Sequence, residues 1–409
     1  MSIGFTGPFA DSNFGDYGML VNNIYALGDV DGVVVFSYDD SVVGAVWDRY
    51  LPGISHAQMG VEFSDDAFDA LWIDGRSPTP LEILESVSNL AEIEFAIDSL
   101  DVLVVNGGGY WNELWCQPHR LPKLVTILVP LLVAQLRGVR IVFTANGFGP
   151  FGPRSRFLQD LFGGLDAEFH VRDMVRSPAE LRRIGVEESR IHYAPDDLFY
   201  YESQLLEMES LKLNLPSRYV VFETYKPVGE LENMKESLLD FDRQIGERGL
   251  SVVVLPFYGG RGGGVQSDWL EREFGWQRVS FDDAGFLALE TARSVIRGAE
   301  AVVCERYHAA IVALSNEVPV VHALRDVSGD KQYYYGKSLG ATYTAWGPTP
   351  SGSPHIAMAT SLQAALSAVG HDFEATITAQ TAMHRSVSAD TIAEFKRLRS
   401  DVIGRIKGA

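Results

Sequence analysis

The sequence predicts an α/β protein built of two doubly wound halves, and three observations carry that prediction. The chain has 409 residues, too many for one ordinary core, and cores scale so that two domains of roughly 200 residues each are expected. Short apolar runs recur with helix-length patterns between them. This alternation stops at a polar stretch near the middle and then restarts. Continuous apolar runs read as strands buried on both faces, and strands alternating with helices imply parallel sheets.

In the first half, "GVVVFS" (32–37), "DVLVVN" (101–106), "GVRIVFTA" (138–145) and "AEFHV" (167–171) read as strands. Residues 79–97 and 121–137 read as helices between them. The first of these opens with Thr79 as N-cap, Pro80 at the first helical position and Glu82 three residues on, a capping-box start. The acidic stretch 38–74 has weak periodicity and yields no element. Residues 203–216 are polar, end in Pro216 and read as a linker, which divides the chain into halves at 1–205 and 206–409. In the second half, "RYVVFET" (218–224), "LSVVVLPF" (250–257), "AEAVVC" (299–304) and "VPVVHA" (318–323) read as strands. Residues 230–248, 284–297 and 308–316 read as helices, and 388–407 as a terminal amphipathic helix able to pack back. Two Rossmann-like halves, a linker and a returning helix outline a GT-B-like architecture with a cleft between the facing domains. In such sheets, ligands bind beyond the carboxyl ends of the strands.

Composition narrows the function. Lys and Arg number 34 against 54 Asp and Glu, a formal net charge of −20. That balance argues against nucleic acid, whose backbone demands a basic footprint, and against electrostatic binding to anionic lipid. An anionic ligand must then be held by a small local set of basic groups. The longest apolar run, "LVTILVPLLVAQL" (124–136), is short and broken by Pro130, so a core helix is expected rather than a membrane span. No basic segment followed by an apolar core opens the chain, so no signal peptide is expected. Cys116 and Cys304 cannot make a disulfide framework, and a reducing, cytoplasmic location follows, free or peripheral to the inner membrane face. There is no Cys/His cluster and no D-x-D motif, so no metal or cofactor is expected.

The chemistry-bearing residues fall at predicted strand ends. "NFGDYG" (13–18) puts Asn13 and Asp16 after the first short strand, either capping a helix or contacting hydroxyls. "NGGGYWNELW" (106–115) supplies Asn106, three glycines that let a ligand approach the backbone, and then Trp111 and Asn112. The aromatic side chains serve either a sugar face or the core. This turn is not G-x-G-x-x-G, so a dinucleotide is not expected. "NGFGPFGP" (146–153) is a third glycine-rich turn. Arg172 follows the strand 167–171, either in a surface pair with Asp173 or aimed at an anion. In "ERYHAAIVALSNEVPVV" (305–321), Arg306, Tyr307 and His308 span a turn from strand to helix. First-turn amides lack intrahelical partners and the helix dipole is positive there. An arginine and an imidazole on that turn suit phosphate or carboxylate. Lys331 follows the last strand and is a further cation candidate.

Taken together, N-x-G-D, the GGG turn, G-x-G-P, V-R-D, "APDDLF" (194–199) and R-x-H-x-x-x-x-A-L-x-x-x-V-P-V resemble the polysaccharide pyruvyltransferase family over residues 13–340. The resemblance implies a transferase that forms a pyruvate ketal on a saccharide acceptor, free or carrier-linked, from phosphoenolpyruvate with release of phosphate, in exopolysaccharide or cell-envelope synthesis. It implies donor binding by Arg172, Arg306, Tyr307 (through its amide), His308 and, on a looser match, Lys331. His308 is then the acid–base candidate, since imidazole titrates near neutrality. Asp16 is the candidate for activating an acceptor hydroxyl, with Asn13, Asn106, Trp111 and Asn112 on the acceptor side. Two rivals stand beside this reading: a GT-B glycosyltransferase with a nucleotide-sugar donor, and a saccharide-binding protein without catalysis. The acceptor sugar, its linkage and the oligomeric state are not written in the sequence.

Overall fold

The structure is a computed structural model that describes residues 1–9, 12–38, 41–72, 77–208, 213–325, 333–348 and 357–408. The chain forms two compact units. Unit 1 comprises Met1–Asp11, Asp16–Asp197 and Arg397–Ala409, and unit 2 comprises Ser12–Gly15 and Leu198–Lys396.

Unit 1 is built from β1 (Ser2–Thr6), α1 (Phe14–Leu27, its first two residues grouped with unit 2), β2 (Gly32–Phe36), α2 (Ser41–Tyr50), β3 (His56–Met59), α3 (Asp65–Ala70), α4 (Pro80–Glu85) and α5 (Leu90–Asp98). It continues with β4 (Val102–Val105), β5 (Gly108–Trp111), α6 (Leu121–Arg137), β6 (Arg140–Phe148), α7 (Arg156–Gly164), β7 (Glu168–Val171), α8 (Arg176–Arg183) and β8 (Ile191–Tyr193). Its sheet runs β3-β2-β1-β4-β6-β7-β8 with β5 beside β6, and every pairing is parallel. Strand order reverses between β1 and β4, which makes their carboxyl ends the topological switch point.

Unit 2 holds α9 (Ser203–Glu207), β9 (Tyr219–Phe222), α10 (Val228–Asn233), α11 (Lys235–Glu247), β10 (Ser251–Val254), α12 (Gly264–Phe274), β11 (Gln277–Arg278) and α13 (Leu289–Arg297). Then come β12 (Ala301–Cys304), α14 (Tyr307–Ser315), β13 (Val320–Ala323), α15 (Tyr333–Trp346), β14 (Met358–Ala359), α16 (Leu362–Gly370), α17 (Phe373–Ser386) and the first part of α18 (Ala389–Lys407). Its parallel sheet runs β11-β10-β9-β12-β13-β14, so its order reverses between β9 and β12. All four residues of β4, β9, β12 and β13 are buried, as the unbroken apolar runs require.

The expected α/β class and GT-B-like outline are what the structure has. Residues 397–408 of α18 return to unit 1. There Arg140 Nη2 donates to the Ile406 carbonyl at 2.8 Å, and Arg399 pairs with Asp197.

Four particulars differ from the sequence reading. The units divide after Asp197 rather than at 205/206, because Leu198, Phe199 and Leu205 are buried and α9 packs on α13. The helix expected over 79–97 begins with the foreseen capping box, Glu82 N to Thr79 Oγ1 at 3.3 Å and Thr79 N to Glu82 at 2.8 Å. It is nevertheless split, since Val87 bridges to Phe63 and Ser88 N donates to Glu62 O at 2.8 Å. Long-range pairing there outweighs helix propensity. Likewise 230–248 is divided between α10 and α11. The stretch 38–74, unplaced by periodicity, carries α2, β3 and α3. Gly138 ends α6 in the left-handed region at φ 69°, which glycine adopts without steric cost.

Candidate functional site

The switch point of unit 2 gathers charge. Arg306 is the N-cap of α14, two residues past the end of β12. Glu223 immediately follows β9 and is wholly buried. Its Oε2 accepts from the amides of Glu305 at 3.0 Å and Arg306 at 2.8 Å. Its Oε1 lies 3.4 Å from Arg306 Nε. Arg306 Nη2 donates to the Gly262 carbonyl at 2.6 Å. The guanidinium carbon sits 5.2 Å from the Tyr225 ring centroid and 5.1 Å from that of Tyr258, within cation–π range. Two more cations border the same residues. Arg325, exposed after β13, lies 4.7 Å from the Tyr225 centroid, and Lys226 Nζ is 3.7 Å from Glu305 Oε1.

Burial sets the protonation of this cluster. It pushes the Glu223 carboxyl up to about 7, against the pull of the Arg306 guanidinium and of the two amides. It also raises Glu305, which is opposed by its bond from the Thr224 hydroxyl and by Lys226. Behind the turn, burial lowers His322 to about 4. Its Nε2 faces the Glu305 carbonyl at 3.1 Å and its Nδ1 the Ser338 hydroxyl at 2.8 Å.

His308 is the second residue of α14, half-buried, with its ring edge-on to Tyr307 at 5.2 Å between centroids. Gly15, grouped with unit 2, comes close to it: a Cβ there would lie 1.8 Å from His308 Nδ1. Here glycine is required by close approach, not by a turn. The same short segment is pinned by Phe14 N to the Phe257 carbonyl at 3.1 Å and Gly259 N to Ser12 Oγ at 3.3 Å. Asn13 is half-buried in it. Lys331 lies outside the described residues.

The remaining candidates lie in unit 1. Arg172 follows β7, but its partner is not Asp173 at the surface. Nη1 donates to Asp196 Oδ2 at 2.8 Å, with side chains 2% and 1% exposed. Asp173 instead caps α8, its Oδ1 accepting from the amides of Val175, Arg176 and Ser177. Asp16 is a buried first-turn residue of α1 rather than an N-cap. Asn106 stands directly after β4, at the switch point, and its Oδ1 accepts from Asn23 at 2.6 Å. Its Nδ2 is buried without a partner among the described residues. Trp111 is a correction: its ring is wholly buried against Phe162 at 5.2 Å and Phe143 at 6.4 Å. It is core, as large aromatics at a strand end commonly are. Asn112 is equally buried and closes its own turn, donating to the Gly109 carbonyl at 2.8 Å and accepting from Leu114 N at 3.0 Å.

Glu223, Tyr225, Lys226, Tyr258, Gly262 and Arg325 were missed by sequence reasoning. A signal existed for two of the segments. "VVFET" ends an apolar strand on a carboxylate, and "YGGRGGG" (258–264) is a glycine-rich turn after a strand. Among the described residues, no group of three or more His, Cys, Asp or Glu is placed to hold a metal ion, and no helix is long and apolar enough to cross a membrane.

Comparison with known proteins adds three findings. A family model described as polysaccharide pyruvyl transferase matches residues 37–326. Comparison with curated proteins gives no match. Among solved structures, the chain is similar to UDP-GlcNAc 2-epimerase from Neisseria meningitidis bound to UDP-GlcNAc, with TM-score 0.60, 11% identity, and 99% of this chain and 100% of that one covered. It is similar to S. aureus MnaA with UDP, with TM-score 0.59, 13% identity, and coverage of 100% and 95%. It is also similar to Anabaena Alr3699/HepE with UDP-glucose, with TM-score 0.55, 12% identity, and 100% of both chains covered. At such identities the likeness is one of fold.

Proposed function

The chain belongs to the polysaccharide pyruvyl transferase family, and on that premise we propose that it transfers the pyruvyl skeleton of phosphoenolpyruvate to a saccharide, forming a ketal across two hydroxyls and releasing phosphate. A transferase of polysaccharide synthesis follows from the family; the donor and the ketal are our reading. The observation that carries it is the Arg306 turn at the unit 2 switch point, with Lys226 and Arg325 beside it, in a chain otherwise strongly acidic. A donor bearing both a carboxylate and a phosphate needs such a local set of cations.

The chemistry balances as follows. A proton adds to the terminal methylene of the enol, leaving positive charge at C2. One acceptor hydroxyl bonds to C2 and the bond from C2 to the phosphate oxygen breaks. The second hydroxyl then bonds to C2. Of the two protons the hydroxyls give up, one balances the new methyl group and one leaves with phosphate. Fixed cations facing the departing phosphate are preorganised stabilisation. His308, on the first turn of α14 beside Arg306, is the proposed proton donor. Arg306 and the Tyr307 amide are the proposed anion contacts. Arg172 and Lys331 stay in the proposal as further donor contacts. On the acceptor side we keep Asp16, Asn13 and Asn106, whose unpartnered Nδ2 suits a hydroxyl. Trp111 and Asn112, both buried in their own packing, leave that set.

The test is phosphate release from phosphoenolpyruvate with a panel of glycosides bearing paired hydroxyls, run beside the same panel with nucleotide sugars. Acceptor-dependent phosphate release is expected. Release of nucleoside diphosphate instead, as the fold likeness to UDP-bound proteins allows, replaces this reading with glycosyl transfer. Turnover with neither donor leaves a saccharide-binding protein.

A further inference from the structure

We infer that Glu223 is a positioning residue, one carboxylate that fixes both the backbone and the side chain of Arg306 for anion binding. The inference rests on the pyruvyl-transfer reading above and adds a residue to it. Glu223 Oε2 takes the amides of Glu305 and Arg306 at 3.0 and 2.8 Å, two N–H groups at a helix entry that have no intrahelical acceptor. Its other oxygen lies 3.4 Å from Nε of the same arginine. The Gly262 carbonyl takes Nη2 at 2.6 Å. Nε and Nη2 form one edge of the planar guanidinium, and that edge faces protein. The remaining nitrogen, Nη1, is the one presented to a ligand.

A carboxylate is a poor choice here for any other purpose. Wholly buried, it carries the cost of desolvation, and well-packed neutral groups usually stabilise a core better. It also offsets part of the positive field that an anion would feel. What it supplies is geometry, since one oxygen accepts from two amides of the turn while the other ion-pairs with Nε of the same arginine. The loop after β10 packs closely here: a Cβ at Gly262 would meet the Tyr258 ring first, at 2.2 Å, and Arg306 Nη2 at 2.8 Å.

The experiment is a double-mutant cycle read by calorimetry with phosphoenolpyruvate. Measured at pH 8, where the carboxyl is ionised, Glu223→Gln keeps the shape and one acceptor oxygen but removes the charge opposite Nε. It is expected to weaken phosphoenolpyruvate binding about tenfold, the worth of one charge-assisted contact. In an Arg306→Ala background, the same substitution is expected to change affinity less than about twofold, because nothing remains to be positioned. Glu223→Asp keeps the charge but shortens the reach, so it is expected to lose affinity in the same Arg306-dependent way. It serves as the second variant should the glutamine form fold poorly. Wild-type affinity in both variants overturns the inference. So does an equal loss with and without Arg306, which marks a general defect of the fold. A wild-type protein that binds no phosphoenolpyruvate overturns the pyruvyl-transfer reading itself, and this inference with it.

Discussion

The two units offer the same kind of place and fill it differently. Each sheet reverses strand order between two central strands, and each gathers polar side chains there. Near the strand ends of unit 1, most of these groups are taken up by one another. Asp197 accepts from Thr144 at 2.6 Å, Asn23 at 3.1 Å and Arg399 at 2.8 Å, and Arg172 is paired with Asp196. Asn106 Nδ2, Asn146 Oδ1 and Arg399 Nε are exceptions among the described residues. In unit 2, Arg306 is held from behind by Glu223 and Gly262, while Lys226 and Arg325 border the same turn from partly or fully exposed positions. Topology therefore supplies the crevice, and the degree to which protein groups satisfy each other decides its use. A satisfied buried network rigidifies the fold, whereas the unit 2 turn carries cations at partly or fully exposed positions, Lys226 among them paired with Glu230 at 3.1 Å.

Three variants sharpen this contrast. The largest effect is expected at His308. His308→Gln should bind phosphoenolpyruvate within about tenfold of wild type, yet turn over two to four orders of magnitude more slowly, roughly the range for a lost general acid. Calorimetry beside single-turnover rates reads both, and wild-type turnover at saturation removes the proton-donor role. Next comes the pair of arginines. Arg306→Ala should cost about a hundredfold in turnover and lower the thermal midpoint less than Arg172→Ala, since Arg306 is partly exposed and the Glu223 carboxyl keeps two amide donors. Arg172→Ala breaks the buried pair with Asp196 and should cost about 3–5 kcal/mol of stability, the usual penalty for breaking a buried pair. Thermal melts set against activity separate the two. If Arg172→Ala melts normally and loses only donor binding, the satisfied-network view of unit 1 is wrong.

The smallest effect is a pH dependence at Glu223. Burial raises its folded pKa to about 7 from an ordinary 4.5, so the folded chain holds that proton more tightly. The stability this contributes is complete below about 4.5 and is lost as pH rises through 7. The charged or titratable groups that act on it are Arg306, Glu305 and the Cys304 thiol. Glu223→Gln is blind to the transition. It should therefore melt higher than wild type at pH 8, by up to about 3 kcal/mol, and close to wild type near pH 4. An unchanged difference across that range would mean the carboxylate is not held as described.

Much of this was legible in the sequence, for identifiable reasons. Central strands such as β4, β9 and β12 are unbroken apolar runs, and the turn at 305–308 joins one of them to a helix within four residues, so local pattern suffices. The partner of that turn was not legible. Glu223 meets Arg306 across 83 positions of chain, and a carboxylate accepting backbone amides leaves no sequence pattern on the residues whose amides it takes. Trp111 was misjudged in its alternatives because an aromatic beside a glycine turn reads the same whether its face meets a sugar or Phe162. The helix over 79–97 broke for the same kind of reason, through a bridge to Phe63 that periodicity cannot register.

The most direct test of the account is a crystal structure with phosphoenolpyruvate bound. A carboxylate or phosphate oxygen is expected within hydrogen-bond distance, about 3 Å, of Arg306 Nη1, with Nε still facing Glu223 and Nη2 still on the Gly262 carbonyl. Phosphoenolpyruvate seated away from the carboxyl ends of β9 and β12, with the Arg306 guanidinium making no contact to it, would contradict it.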